Sequence, residues 1–430
     1  MIPRLNRKGN SHTPPHFQRH KLANHVCQGF RCRQKRWLTA SRVTNPGCGP
    51  GFQQSREIAL MPRPGTWIGS ATPHIPLSTM LLPSLSTLLL AGLPAVNAAI
   101  TYKGVDWSSL LIEERAGMSF KDVNGNTKPL ERILVENGVN TVRQRVWVNP
   151  SNGEYNMDYN IQLARRAKAV GLGVYIDFHY SDTWADPGKQ GIPSGWPTDI
   201  DNLSWKLYNY TLESCNRFQD AGIQPTIISI GNEITPGLLW PTGRTNNWGN
   251  IARLLRSAAW GIKDSRLSPK PKIMIHLDNG WNWNTQNNWY TNVLRQGTFE
   301  ASDYDIMGVS FYPFYSEAAS LSALKTSLTN MANTWGKEIQ VVETNWPVQC
   351  PNPRYQFPAD VRSIPFSEAG QVQYVTKVAD VVRSVNRGNG LFYWEPAWLN
   401  NAALGSSCPE NTMFAWGGRA RSSISVFQRI

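Results

Sequence analysis

The chain has 430 residues, with 43 Lys and Arg against 30 Asp and Glu and a formal net charge of +13. Residues 1–98 hold twelve of the basic residues and one acid, Glu57, so +11 of that charge belongs to them and +2 to residues 99–430. A body this close to neutral has no field for capturing a polyanion, which excludes nucleic acid as its partner. The leader's basic residues lie scattered among Pro, Gly, His and Ser without the clustering of a nucleic-acid arm.

In chain order, residues 1–79 read as disordered or as an over-extended gene model. Stretches such as His12-Thr13-Pro14-Pro15-His16 cannot bury enough apolar surface to offset the entropy of ordering them. Residues 80–98 read as a signal peptide: an apolar run broken by Pro83 and Pro94 and ending in the small-x-small pattern Val96-Asn97-Ala98. Translation is therefore expected to start at Met80 or Met61, giving a secreted, extracellular protein that leaves the membrane once the signal is removed. Two sequons, at Asn202 and Asn209, fit glycosylation on that route.

From residue 99 on, β-branched and aromatic runs alternate with helical stretches. The runs are 101–106, 141–147, 174–179, 226–231, 272–276, 305–310, 339–343 and 391–394. Helix signals open at Asp158, Ser204 and Ser367 and close at Gly171, Gly222 and Gly388. Eight such units, each strand ending in polar or aromatic residues, predict an α/β fold, a single (β/α)8 TIM barrel over 99–430 with no second domain. Of the three cysteines in this body, Cys350 and Cys408 sit in loop-like sequence after the seventh and eighth strands and are expected to pair. Cys215 shares a helical face with Leu212 and Phe218 and is expected to be a buried thiol.

Two glutamates close apolar strands: Glu233 in Ile230-Gly231-Asn232-Glu233 and Glu343 in Val341-Val342-Glu343. A carboxyl pair at strand ends of a barrel is what retaining glycoside hydrolysis requires, one to protonate the leaving oxygen and one to attack the anomeric carbon. An Asn-Glu at the fourth strand with a Glu at the seventh resembles clan A of the retaining TIM-barrel glycosidases. The wording of Tyr102-Lys103-Gly104-Val105-Asp106-Trp107, Asp177-Phe178-His179-Tyr180-Ser181-Asp182-Thr183-Trp184, Glu343-Thr344-Asn345-Trp346-Pro347 and Tyr393-Trp394-Glu395-Pro396-Ala397-Trp398 is similar to glycoside hydrolase family 53, nearly throughout 99–430.

That resemblance implies an endo-β-1,4-galactanase acting on pectic arabinogalactan as a monomer, with Glu233 as acid/base and Glu343 as nucleophile. It implies that Asn232 binds the hydroxyl beside the reacting carbon and that Tyr312 donates to Glu343. It also implies that His179 and His276 support substrate and carboxylates. Either Arg143 or Arg145 lowers the nucleophile's pKa; Arg145 is favoured as nearer the strand end. Trp184, Trp346, Trp394 and Trp398 are expected to stack on sugar rings, and Asp182 to accept a hydroxyl or cap its loop. The chain departs from the family at Thr235-Pro236, where a basic residue followed by a small one is expected. No acidic cluster in a βα loop demands calcium, so neither metal nor cofactor is expected. Another clan A activity, a β-mannanase or β-glucanase, and an inactive carbohydrate-binding barrel stay open.

Overall fold

The computed structural model describes residues 100–430, so the readings for 1–79 and 80–98 lie outside the described residues. Eight parallel strands close on themselves in sequence order: β1 Tyr102–Asp106, β2 Thr141–Val146, β3 Gly173–Phe178, β4 Ile227–Ile230, β5 Lys272–Leu277, β6 Ile306–Ser310, β7 Glu338–Glu343 and β8 Gly388–Tyr393. Closure is made by β1, which pairs with β2 on one side and β8 on the other. Every predicted strand is present within a few residues at each end. A short hairpin pairing Gly237–Leu238 with Gly243–Arg244 follows β4 and is an addition to the expected plan.

Eight α-helices accompany the strands: α1 Leu110–Arg115, α2 Leu130–Glu136, α3 Met157–Ala169, α4 Ile200–Asp220, α5 Trp248–Asp264, α6 Trp283–Leu294, α7 Leu321–Trp335 and α8 Glu368–Ser384. Those from α3 to α8 are each capped by a side chain that accepts a backbone N–H of the first turn: Asn156, Asp199, Asn247, Asn282, Ser320 and Ser367. Each such cap contributes about 1 kcal/mol. The predicted start of α4 at Ser204 is corrected to Asp199, because Ser204 is already one turn inside and its Oγ donates to the Ile200 carbonyl at 2.6 Å. Both sequon asparagines therefore sit on the exposed face of a helix rather than in a loop, and Asn202 donates its amide to Asp199.

Two apolar zones hold the barrel. The larger lies between strands and helices; the smaller, inside the barrel, is made of Tyr175, Ile227, Met274, Ile306, Val342 and Phe392, all fully buried. The inner zone fits only because two strands carry glycine there: a Cβ on Gly104 would stand 2.1 Å from the Phe392 ring, and one on Gly308 would stand 2.4 Å from the Met274 sulfur. This plug fills the lower barrel, so polar side chains one layer up face a cavity at the strands' C-terminal ends.

β7 breaks strict alternation. Val309 pairs with Val341 but Ser310 pairs with Glu343, so Val342 is an extra residue. Val342 already points inward; the bulge turns the next side chain, Glu343, inward as well.

Cys350 and Cys408 form a disulfide across 58 residues of sequence, and Cys215 is a free, buried thiol. Burial pushes that thiol up to about 12, which leaves it unreactive at neutral pH. In the chain-entropy model the bridge contributes up to about 4 kcal/mol. The Cys350→Ala/Cys408→Ala protein is expected to melt up to about 6 °C lower than wild type, and non-reducing peptide maps to show 350 joined to 408 with 215 unmodified until unfolding. An unchanged Tm would mean the loops are held by their other contacts.

Candidate active site

The C-terminal mouth of the barrel opens into a cavity of about 500 Å³ whose walls include Arg143, Asn232, Glu233, Tyr312 and Glu343. Glu233 reaches it from a tight turn. After β4 the backbone passes through Gly231 at φ +120° and then places Glu233 itself at φ +48°, the left-handed region. A non-glycine residue held there costs on the order of 1 kcal/mol or more.

Arg143 organises the floor. Its Nη1 donates to Asp106 at 2.7 Å, and its Nη2 lies 2.8 Å from Asp177, 2.7 Å from the Asn232 amide oxygen and 2.8 Å from Glu343 Oε1. The other Glu343 oxygen accepts the Tyr312 hydroxyl at 2.8 Å. Arg145, expected as the partner of Glu343, instead binds Glu395 at 2.6 Å and lies against the rings of Tyr155, Trp184 and Trp398. The preference for Arg145 is thus corrected to Arg143. Both arginines point inward, but β2 lies beside β1, and the longer reach of Arg145 meets the Glu395 carboxylate that follows β8 next door. The lower Arg143 reaches across the barrel to β7.

Both histidines are neutral rings, His179 in the cavity wall and His276 behind it. His179 Nδ1 accepts the Ala185 N–H at 3.0 Å, so Nε2 carries the proton and donates to Asp177 at 3.2 Å. His276 Nδ1 faces the Arg143 Nη2 donor at 3.5 Å, so its Nε2 donates to Ser310 Oγ at 2.9 Å. Burial and the nearby arginine push His276 down to about 3. Ser310 in turn faces Glu233. Asn232 is fixed from below, its oxygen accepting from Arg143 and its nitrogen donating to the Ala185 carbonyl at 2.8 Å, which leaves one amide hydrogen for the cavity it lines.

The two glutamates are electrically unequal. Burial raises both. Arg143 and the Tyr312 hydroxyl oppose it at Glu343, which stands at about 7. Glu233 is raised further, by burial, then by the Glu343 charge and by Asp278. The expectation of a low nucleophile pKa is therefore corrected: dehydration outweighs the arginine, while the order, Glu343 below Glu233, is the one expected.

Trp184 and Trp394 line the cavity. Trp398 stacks behind Trp184 at 6.1 Å and is not among the wall residues. Trp346 is corrected outright: it is fully buried, stacked on Tyr374 at 4.7 Å with Nε1 donating to the Pro365 carbonyl, and has no face left for a sugar. Asp182 is a loop cap, its two oxygens accepting the N–H groups of Asn149 and Ser194 at 2.9 and 2.7 Å. Trp281, Tyr315 and Asp278 also form walls, while Asp106, Asp177 and Glu395 anchor the arginines. None of these six was singled out from sequence, although all follow or end a strand on the face where site residues gather.

With this geometry in hand, the chain's relatives are informative. The model for "Glycosyl hydrolase family 53" matches residues 102–427. Arabinogalactan endo-beta-1,4-galactanases of Thermothelomyces thermophilus and Humicola insolens are 74% and 73% identical over 332 residues, 77% of this chain and 100% of each of theirs. A solved structure described among two fungal beta-1,4-galactanases is 74% identical, with a TM-score of 0.77 over 77% of this chain and 100% of that one. The GH53 catalytic domain of Ignisphaera aggregans, 29% identical, has a TM-score of 0.68 over 79% of this chain and 97% of its own. The protein belongs to glycosyl hydrolase family 53 and is a glycoside hydrolase.

The Tyr312 hydrogen bond stabilises ionised Glu343, so removing it raises the Glu343 pKa above its present value of about 7. Tyr312→Phe is therefore expected to move the acid limb of the kcat/KM profile to higher pH by roughly one unit, the worth of one charge-assisted hydrogen bond. A limb that stays put or moves to lower pH would show that Glu343 does not set it.

Proposed function

We infer that this protein is a retaining endo-β-1,4-galactanase that cuts the galactan chains of pectic arabinogalactan outside the cell. The observation that carries the reading is the pair Glu233 and Glu343 facing one cavity with only Glu343 held by Arg143 and Tyr312. Its close relatives bearing the galactanase name support the substrate. Among the described residues no helix is long and apolar enough to cross a membrane.

Chemistry follows from the charge order. Glu343, ionised, attacks the anomeric carbon while Glu233, protonated, donates to the oxygen of the departing chain. Once Glu343 has become an ester, the charge that raised Glu233 is gone, its pKa falls, and it is suited to take a proton from the incoming water. Water attacks the anomeric carbon, Glu343 leaves as carboxylate, and the β configuration is restored. Asn232, fixed from below, presents its amide edge where the neighbouring sugar hydroxyl lies, and Trp184 and Trp394 offer ring faces to the apolar side of galactose.

Reducing-sugar release should be strong on potato galactan and weak on mannan and carboxymethylcellulose; the reverse ranking would defeat the substrate assignment. Glu343→Ala should lose turnover, with azide restoring it to give an α-linked azide from an activated aryl substrate. Glu233→Ala should keep fast glycosylation with such a leaving group and give a β-linked azide. The opposite stereochemical pattern would reverse the two roles.

A further inference from the structure

We propose that a second groove, formed by α5, α6 and the segment after Glu233, binds a remote stretch of the same polysaccharide chain that is being cut. Resting on the galactan reading above, it adds a site outside the catalytic cavity. The groove is open to solvent, has a volume of about 630 Å³ and is lined by Thr235, Thr245, Trp248, Asn284, Asn288 and Asn292, with Asn282, Thr285 and Trp289 completing it. No charged side chain is among them, so it has nothing with which to hold a polyanion or an ionic peptide. Amides and hydroxyls both donate and accept, which matches sugar hydroxyls. Trp248, half-buried and packed edge-on against Trp289 at 6.4 Å, supplies the apolar surface that the C–H face of a pyranose covers.

The α6 sequence is hard to explain by helix stability. Asn284, Asn287, Asn288 and Asn292 occupy four of the twelve positions of Trp283–Leu294, and Asn is a poor residue in a helix interior because its side chain competes for the backbone. Asn284, Asn288 and Asn292 recur every four residues, about 6 Å apart along one face, close to the size of one hexose ring. Some of their capacity is used within the helix: Asn292 Nδ2 donates to the Asn288 carbonyl and side-chain oxygen at 2.8 and 2.9 Å. The Asn284 side chain and Asn288 Nδ2 have no hydrogen-bond partner among the described residues and are exposed.

The groove adjoins the catalytic cavity. Thr235, two residues past Glu233, accepts the N–H of the cavity residue Asp278 at 3.1 Å, and Trp289 Nε1 donates to the Ile234 carbonyl at 3.0 Å. Cavity wall and groove meet again where Trp281 is followed by Asn282. The two sites thus share the segment that follows Glu233 and the loop that follows β5.

The test is Asn284→Ala/Asn288→Ala, which removes exposed amides while improving helix propensity. On long linear galactan its KM should rise about fivefold, the loss of roughly 1 kcal/mol of uniform binding, with kcat unchanged. Hydrolysis of galactotetraose, which offers no remote stretch of chain, should be as in wild type. An unchanged polymer KM overturns the proposal, and so does an equal loss on polymer and tetrasaccharide, which would mean the groove acts only through the cavity. Should wild type cleave mannan or glucan in place of galactan, the substrate reading fails. The same polymer-against-tetrasaccharide comparison on that glycan then decides the groove.

Discussion

Everything in the site hangs on one buried guanidinium. Arg143 is 1% exposed and touches Asp106, Asp177, Asn232 and Glu343. A charge taken this far from water is tolerable when opposite charges surround it, as the three carboxylates do here although the Nε–H is left without a partner, and removing one partner of such a pair typically costs about 3–5 kcal/mol. The planar fork ties the ends of β1, β2, β3 and β7 to the turn after β4, so the residue that keeps Glu343 ionisable also fixes Asn232 beside Glu233. Lysine, with a compact point charge, cannot reproduce that fork.

The barrel supplies two departures from regular geometry that aim the glutamates at one another's cavity. At Glu343 it is the bulge that puts Val342 and Glu343 both inward. At Glu233 it is the left-handed turn. Burial raises both carboxyls, and contact with Arg143 and the Tyr312 hydroxyl then holds Glu343 below Glu233, which its anionic neighbours raise further. Glu395, itself raised to about 7 by burial against the pull of Arg145, repeats the same pairing on the other side of β1 and holds the second arginine beneath the Trp184 and Trp398 rings.

Much of this was legible in the sequence. Eight runs of strand-forming residues, each closed by polar or aromatic residues, specified a barrel, and the Glu233 and Glu343 motifs specified its working face. What alternation could not reveal was which arginine meets which carboxylate: Arg143 and Arg145 share a face of β2, and the difference lies in what neighbouring strands place beside them. Nor could it reveal the bulge, since a strictly alternating β7 would turn Glu343 away from the cavity once Val342 points in. Trp346 and Trp281 show the same limit. Both follow a strand in a βα loop, yet Trp346 is locked under Tyr374 and Phe357 while Trp281 forms a cavity wall. The burial of Trp346 depends on Tyr374 of α8, which the residues around Trp346 do not announce.

The most direct test of the coupling at the centre of this site is the pKa of Glu233 followed by carboxyl ¹³C NMR in wild type and in Glu343→Gln. With Glu343 made neutral, Glu233 loses the anionic neighbour that raises it and is expected to titrate at clearly lower pH than in wild type, while remaining above a solvated glutamate because burial persists. A Glu233 pKa that is unchanged or higher in Glu343→Gln would contradict the coupling between the two carboxyls.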